Sequence, residues 1–194
     1  MRHITVAEHL SRYAVWIGGA MMIFAALLVT VDVILRKFLS MTLGGADEIS
    51  GYLFGIATAW AFSYALLHRV NVRIDALYLH FPAPVRAILD IVGLMLLALF
   101  VGVLTWRATL LFQDSLSFWS KSITPLQTPL AIPQFLWLAG LYLFFVTILL
   151  VLFSALGALL RGDVVAVQRL VGVRTLDEEM AQETQGMIDR GPDD

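Results

Sequence analysis

The 194-residue sequence contains no cysteine and few charged residues. Without cysteine, disulfides, thiolate metal sites, cysteine nucleophiles and iron–sulfur clusters are excluded. Charged side chains make up 14% of the chain, against roughly a quarter in soluble domains. None occurs in the 39 positions from Ser122 to Leu160. These shortages exclude an ordinary soluble enzyme, a disordered protein and a nucleic-acid-binding protein, and the net charge of −2 offers no strong field for polyanions.

The sequence instead contains long runs of apolar residues. Four runs are long enough for a helix that crosses a lipid bilayer, which needs about 20 residues. They cover 15–35, 49–67, 88–107 and 132–160, and the third needs flanking residues to complete a span. The runs lack the alternation of barrel strands, and a helix pairs its own backbone groups in lipid. We therefore expect an all-α integral membrane protein with four transmembrane helices over 1–160 and an acidic tail over 161–194.

The distribution of positive charge predicts the orientation. If the N-terminus is inside, nine arginines fall in inner segments and four Lys or Arg residues in outer ones. Because positive charge concentrates on the cytoplasmic side, we expect both termini and the tail to be cytoplasmic. The first run is longer than a signal-peptide core and ends in Asp32, Arg36 and Lys37, so we expect it to be retained.

Two loops show apolar residues at helical spacing, over 74–81 and over 112–123. The first predicts a short helix in the inner membrane interface, with a plain connecting loop as the alternative. The second predicts either another interfacial helix or a continuation of the third span. Pro125, Pro129 and Pro133 then predict an extended segment before the fourth span.

Ionisable residues in or near the spans are candidates for function. They are Asp32, Asp90 and Arg107. Arg36 and Arg86 lie four residues from the two aspartates, so each pair can neutralise itself within one helix. Arg107 is expected at the outer edge of its span. No charge is expected at the bilayer midplane, so the chain lacks an obvious ion or proton path of its own.

The second span begins with two carboxylates, Asp47 and Glu48. Carboxylates at the start of a helix interact favourably with its unpaired N–H groups and its dipole. The alternative interpretation is that they contact a basic group on a partner protein.

Small residues recur every four positions along the second span. They are Gly51, Gly55, Ala59 and Ser63. Such a stripe lets another helix approach closely, but the neighbouring helix can belong to the same chain or to a partner.

Three segments carry a resemblance to a known family. They are Val31–Phe38, Gly45–Ser50 and Asn71–Asp75. Together with the length and the four spans, they resemble the small integral membrane (DctQ-type) subunit of tripartite ATP-independent periplasmic (TRAP) transporters. In the family pattern an arginine closes the first span and an acidic residue followed by Glu opens the second. After the second span the family has His-aliphatic-x-aliphatic-Asp, and here Asn71 occupies the His position.

The family resemblance and the small-residue stripe together indicate nine residues that are expected to contact a partner subunit or to stabilise the fold. The family motifs contribute Arg36, Asp47, Glu48, Asn71, Arg73 and Asp75, and the stripe contributes Gly51, Gly55 and Ala59. These are partner-interface or structural candidates. No catalytic residue, bound metal or cofactor is expected in this chain.

The resemblance also implies a bacterial inner-membrane complex. Its other members are a large multi-spanning subunit, which holds the substrate and sodium ions, and a periplasmic binding protein that delivers an organic acid. The small subunit acts as a scaffold. An alternative is a self-assembling four-helix channel or small exporter with Asp32 as its ion site. A haem-binding membrane protein is disfavoured because all four histidines lie outside the predicted spans.

Overall fold

In a computed structural model, the chain is described for residues 2–69 and 81–172. These residues form five helices and no strand: α1 (Arg2–Leu39), α2 (Ala46–Leu67), α3 (Ala83–Ser117), α4 (Ala131–Leu160) and α5 (Val164–Val171). The first four are long and apolar enough to cross a membrane. The predicted class, an all-α integral membrane protein with four spans, is confirmed.

Three of the long helices are much longer than the hydrocarbon core of a bilayer is thick. α1 has 38 residues, α3 has 35 and α4 has 30. At about 1.5 Å per residue they are roughly 57, 52 and 45 Å long, against a hydrocarbon core of about 30 Å. Helices of this length cross at a tilt or extend beyond the lipid. α3 starts directly after Pro82, with Pro84 in its first turn, where a missing N–H breaks no helical hydrogen bond.

The four long helices lie side by side in single file. α1 packs on α2, α2 on α4, and α4 on α3, while a smaller contact joins α1 to α4. Within the described residues, neither α1 nor α2 packs extensively on α3. The chain therefore forms an open, curved layer and not a closed four-helix bundle. α5 folds back against α3 and α4.

The two ends of the layer differ in structure. The end that carries loops 40–45 and 118–130 is termed the upper end, and the end that carries α5 is termed the lower end. A small apolar cluster joins α2, α3 and α4 towards the upper end: Ala59, Ala108, Leu138 and Leu141. A larger one fills the space between α3, α4 and α5 and includes Ala87, Ile91, Leu94, Ile148, Val151, Ala155 and Val167.

Close approach at glycines holds neighbouring helices together. A Cβ atom added at Gly18 of α1 would lie 3.3 Å from the carbonyl oxygen of Ala57 in α2. One added at Gly140 of α4 would lie 2.4 Å from Cδ1 of Trp60. The Trp60 indole N–H also donates a hydrogen bond of 2.8 Å to the carbonyl oxygen of Leu136. Because lipid gives no hydrophobic drive to helix association, such packing and hydrogen bonds determine which helices pair.

The segment between α3 and α4 agrees with one prediction and departs from another. Of the two alternatives for 112–123, the continuation of the third span is the one observed, because α3 extends to Ser117 and no separate surface helix follows it in residues 118–130. The three prolines do not produce an extended segment. The chain reverses in a hairpin, with an isolated bridge between Lys121 and Pro129 and a hydrogen bond of 3.0 Å from Gln127 N–H to the Thr124 carbonyl oxygen. Pro125 occupies the turn position that its fixed φ favours, which is why the chain turns there.

The remaining predictions concern the lower end. The helix predicted over 74–81 falls almost wholly on residues 70–80, which lie outside the described residues. Of the tail, residues 161–172 are described, and they contain α5. The Asp163 side chain caps this helix by accepting a hydrogen bond of 2.9 Å from Ala166 N–H.

Gly140→Val tests the packing of α4 on α2. The added methyl groups have no space beside Trp60 and Ala59, so the substitution is expected to cost about 1–3 kcal/mol of stability. Gly93→Val is the matched control, because a Cβ at Gly93 meets no atom within 4 Å. Thermal unfolding in detergent, followed by circular dichroism, should show a clearly lower midpoint for Gly140→Val alone. Equal midpoints would contradict the packing described here.

Candidate functional site

The most elaborate polar arrangement lies at the upper end and centres on Asp32. This aspartate is 1% exposed and is the only charged residue in the apolar run 15–35 of α1. Arg36 Nε donates a hydrogen bond of 2.6 Å to it and forms an ion pair with it. The Thr42 hydroxyl and the Leu43 backbone N–H donate bonds of 3.0 and 2.7 Å to the other carboxylate oxygen. The i, i+4 ion pair expected from the sequence is therefore present, and both oxygens of the carboxylate are occupied.

Arg36 also links α1 to the beginning of α2. Its Nη2 atom lies 3.4 Å from a carboxylate oxygen of Asp47. The Asp47 side chain is 82% exposed, so this second ion pair is weak in free energy. It leaves most of the carboxylate free to meet another basic group.

Glu48 has a different set of contacts. Its carboxylate accepts a hydrogen bond of 2.8 Å from the Tyr52 hydroxyl and another from the Thr124 hydroxyl. The first holds it on its own helix, and the second ties it to the loop between α3 and α4. No side chain caps α2, whose N-cap residue is Gly45. Asp47 and Glu48 thus bind neighbouring side chains and do not cap the helix.

The loop between α3 and α4 rests directly on the start of α2. A Cβ atom added at Gly45 would lie 2.1 Å from Cδ1 of Leu126, so a larger residue at position 45 would require this leucine side chain to move. Within the loop, the Ser122 and Thr124 hydroxyls are 2.6 Å apart. These contacts anchor both upper loops at one point.

These residues form what is termed the upper polar cluster: Asp32, Arg36, Thr42, Asp47, Glu48 and Thr124. Arg36, Thr42, Asp47, Glu48 and Thr124 line part of a cavity of about 310 Å³. The carboxylates of Asp32 and Glu48 are bound within the chain, so the cluster fixes α1, α2 and the α3–α4 loop relative to one another, while the Asp47 carboxylate is largely exposed. In the part of the chain that the structure describes, no three His, Asp or Glu residues are grouped as metal ligands would be.

The small-residue stripe on α2 divides into two halves. Ala59 and Ser63 are 1% and 0% exposed and pack inside the chain. Gly51 and Gly55 are different, because a Cβ atom added to either would meet nothing within 4 Å. The lower half of the stripe therefore serves the chain's own packing, while the upper half is open.

The open half lines a groove between α2 and α4, termed the α2–α4 groove. Its volume is about 210 Å³, and its lining is almost entirely apolar. The lining residues are Gly51, Tyr52, Gly55, Ile56, Leu130, Pro133, Gln134 and Trp137. A groove floored by glycine and bordered by aromatic side chains has the shape that accepts another apolar helix.

The other predicted residues lie apart from this region. Asp90 is 4% exposed within α3, and Arg107 is exposed on the same helix. Of the nine interface candidates, Asn71, Arg73 and Asp75 lie outside the described residues. Their roles stay predictions.

Sequence reasoning missed two members of the upper polar cluster, Thr42 and Thr124, and the neighbouring Tyr52. Thr42, Tyr52 and Thr124 are the hydroxyl partners of the two buried or anchoring carboxylates, and none was singled out. Tyr52 lies four residues after Glu48, a helical spacing that was a usable signal. Thr124 is separated from Glu48 by 76 positions, and no local pattern indicates such a pair.

The fold and the site together define a multi-pass helical membrane protein whose polar residues mainly fix its own loops. In a comparison with known families, the model for "Tripartite ATP-independent periplasmic transporters, DctQ component" matches residues 25–158. This range covers more than half of the chain and contains the whole upper polar cluster. The chain belongs to the DctQ family and is a small component of a TRAP transporter. It shows no match to curated proteins or to solved structures.

Glu48→Ala tests the anchoring of the α3–α4 loop. Without the carboxylate, the Thr124 and Tyr52 hydroxyls lose their charged partner. Amide hydrogen exchange over residues 120–130 is expected to become several-fold faster. Asp47→Ala is the matched control, because its exposed carboxylate contacts Arg36 and not the loop. Unchanged exchange in Glu48→Ala would contradict the anchoring role.

Proposed function

We propose that this chain is the scaffold subunit of a sodium-coupled, binding-protein-dependent TRAP transporter for organic acids. It holds the large transport subunit in position in the bacterial inner membrane. The large subunit carries the substrate and sodium ions, and a periplasmic binding protein delivers the substrate. The family match supports the complex, and the open faces of the helix layer support the scaffold role. The substrate class and the sodium coupling rest on the family resemblance.

The open layer is the observation that carries the scaffold proposal. In each span, the most apolar 18-residue window is only 17% to 33% buried within the chain. In a closed four-helix bundle, each helix would bury the apolar side chains that face the centre of the bundle. Helices in single file leave the two broad faces of the layer exposed instead. One face can meet lipid while the other covers a larger membrane protein. The α2–α4 groove is the best-shaped part of that surface, because Gly51 and Gly55 leave room for a partner helix.

The upper polar cluster supports the same interpretation. A self-assembling channel or exporter would need Asp32 as an exchangeable ion site. The carboxylate of Asp32 is already occupied by Arg36, Thr42 and the Leu43 N–H. A fixed joint of this kind suits a rigid support better than a transport path. The proposed orientation places the upper end in the periplasm and both termini in the cytoplasm, so Asp47 is available to a basic group of a partner.

Gly55→Leu tests whether the α2–α4 groove receives the large subunit. The new side chain has space within the isolated chain but would fill the groove and block a partner helix. When the two subunits are co-expressed and extracted gently, the yield of large subunit per small subunit is expected to fall several-fold. Gly93→Leu is the control, since it also adds a leucine at an open glycine of a spanning helix.

Two results would contradict the proposal at different levels. If the wild-type chain is extracted as a stable species without any larger membrane protein, the scaffold function is wrong. If the complex forms but Gly55→Leu leaves its yield unchanged, the scaffold function stands and the α2–α4 groove is not the contact.

A second test addresses transport by the chain alone. Vesicles that contain only the purified chain are expected to show no sodium or organic-acid flux above protein-free vesicles. Flux that disappears in Asp32→Asn would favour the channel and contradict the scaffold proposal.

A further inference from the structure

One cation on the surface of the helix layer has no ionic partner within the described residues. Arg107 lies on α3 and is exposed, and in residues 2–69 and 81–172 no carboxylate lies within 4.0 Å of it. Its guanidinium lies 5.6 Å from the ring centre of Trp106, which is 61% exposed. A charged residue on the apolar surface of a membrane helix needs a counter-charge or water.

The position of Arg107 along α3 defines what it can reach. The next residues towards the upper end are apolar or weakly polar up to Phe112, and strongly polar residues begin at Gln113. Arg107 is therefore about 9 Å deeper than these residues, at about 1.5 Å per residue. An arginine side chain can extend over most of that distance towards the headgroup region. The exposed indole of Trp106 is also typical of this level in a membrane.

A carboxylate lies above Arg107 on the same face. Asp114 is seven residues further along α3, which is nearly two turns, and its side chain is exposed. Nothing in the described part of the chain binds the Asp114 carboxylate. Because α3 packs mainly on α4 and α5 among the described helices, it lies at the edge of the layer, and the exposed face that carries Arg107 and Asp114 points away from the layer.

We propose that the Arg107–Asp114 face of α3 binds the headgroup of a zwitterionic aminophospholipid. Arg107 binds the phosphate, for which the guanidinium fork is well suited, and Trp106 packs against the glycerol region. Asp114 binds the ammonium group above it. The order of charges excludes a purely anionic headgroup as the best ligand, because Asp114 would repel it. This site is independent of the groove proposed for the large subunit.

Lipid retention measured by native mass spectrometry tests the site. The full chain, with any membrane partner it carries, is incubated with equal amounts of phosphatidylethanolamine, phosphatidylglycerol and phosphatidylcholine. The wild type is expected to retain phosphatidylethanolamine in preference to the other two. Phosphatidylcholine shares the phosphate but has no N–H donors, so it isolates the contribution of Asp114.

Three variants separate the two charges. Arg107→Gln is expected to lower retention of phosphatidylethanolamine about five-fold, the effect of roughly 1 kcal/mol, and Arg107→Lys should preserve most of it. Asp114→Asn should remove the preference for phosphatidylethanolamine over phosphatidylcholine and increase retention of phosphatidylglycerol. Lys37→Gln is the matched control: Lys37 is an exposed cation 5.7 Å from the Phe38 ring, without an acidic residue two turns above it.

Several outcomes would overturn the proposal. They are equal retention of phosphatidylethanolamine by wild type and Arg107→Gln, a wild type without headgroup preference, or the same loss in Lys37→Gln. If Arg107→Gln keeps its lipid but loses a large membrane subunit, the counter-charge of Arg107 is a protein carboxylate and the lipid site is wrong. Should Arg107→Gln fail to fold by circular dichroism, the exposed Asp114→Asn variant still decides the question.

Discussion

The structure depends on how helices recognise each other where lipid is the solvent. Apolar surface gains little by leaving lipid for protein, so only close packing and hydrogen bonds select neighbours. In this chain the contact between α1 and α2 uses Gly18, and the contact between α2 and α4 uses Gly140 and the Trp60 hydrogen bond. Among the described residues, no close glycine contact or interhelical hydrogen bond joins α1 to α3, and the layer therefore stays open. In an open layer, the broad faces of the helices remain accessible to lipid or to a partner subunit.

The upper polar cluster complements this packing. A carboxylate as deeply buried as Asp32 is stable only when charged and hydrogen-bonded partners surround it. Its partners come from the last turns of α1 and from the first loop, so the carboxylate fixes the path of the chain into α2. Glu48 then fixes the second upper loop on the same helix start. The two loops are thereby set relative to each other, which suits a subunit whose proposed task is to support others.

The sequence was sufficient for the helices but not for their arrangement. Apolar runs predicted four spans because a bilayer dictates their length, and the spacing of Asp32 and Arg36 predicted their ion pair. The order of helices in the layer depends on distant pairs such as Gly140 with Trp60, which no local pattern contains. The span predicted over 88–107 covers only the apolar part of α3 (Ala83–Ser117), because hydropathy detects the residues that contact lipid and not the ends of a helix whose upper turns are polar.

The candidate site was predicted in part for similar reasons. The four-residue spacing of Gly51, Gly55, Ala59 and Ser63 indicated close packing, yet only the structure separates the buried half from the open half. That division depends on where α4 crosses α2. Glu48 was recognised from its motif, but its partner Thr124 becomes visible only when the hairpin of residues 118–130 is placed.

A distance between α1 and α3 tests the open layer most directly. The chain has no native cysteine, so spin labels can be attached at Ile17→Cys and Leu110→Cys without background. Neighbouring helices are about 8–10 Å apart; single-file order with two intervening helices therefore predicts a separation of roughly 20–30 Å between α1 and α3. Pulsed electron spin resonance on the full chain, extracted with its membrane partner, should find that range. A main distance near 10 Å, as between adjacent helices of a closed bundle, would contradict the account.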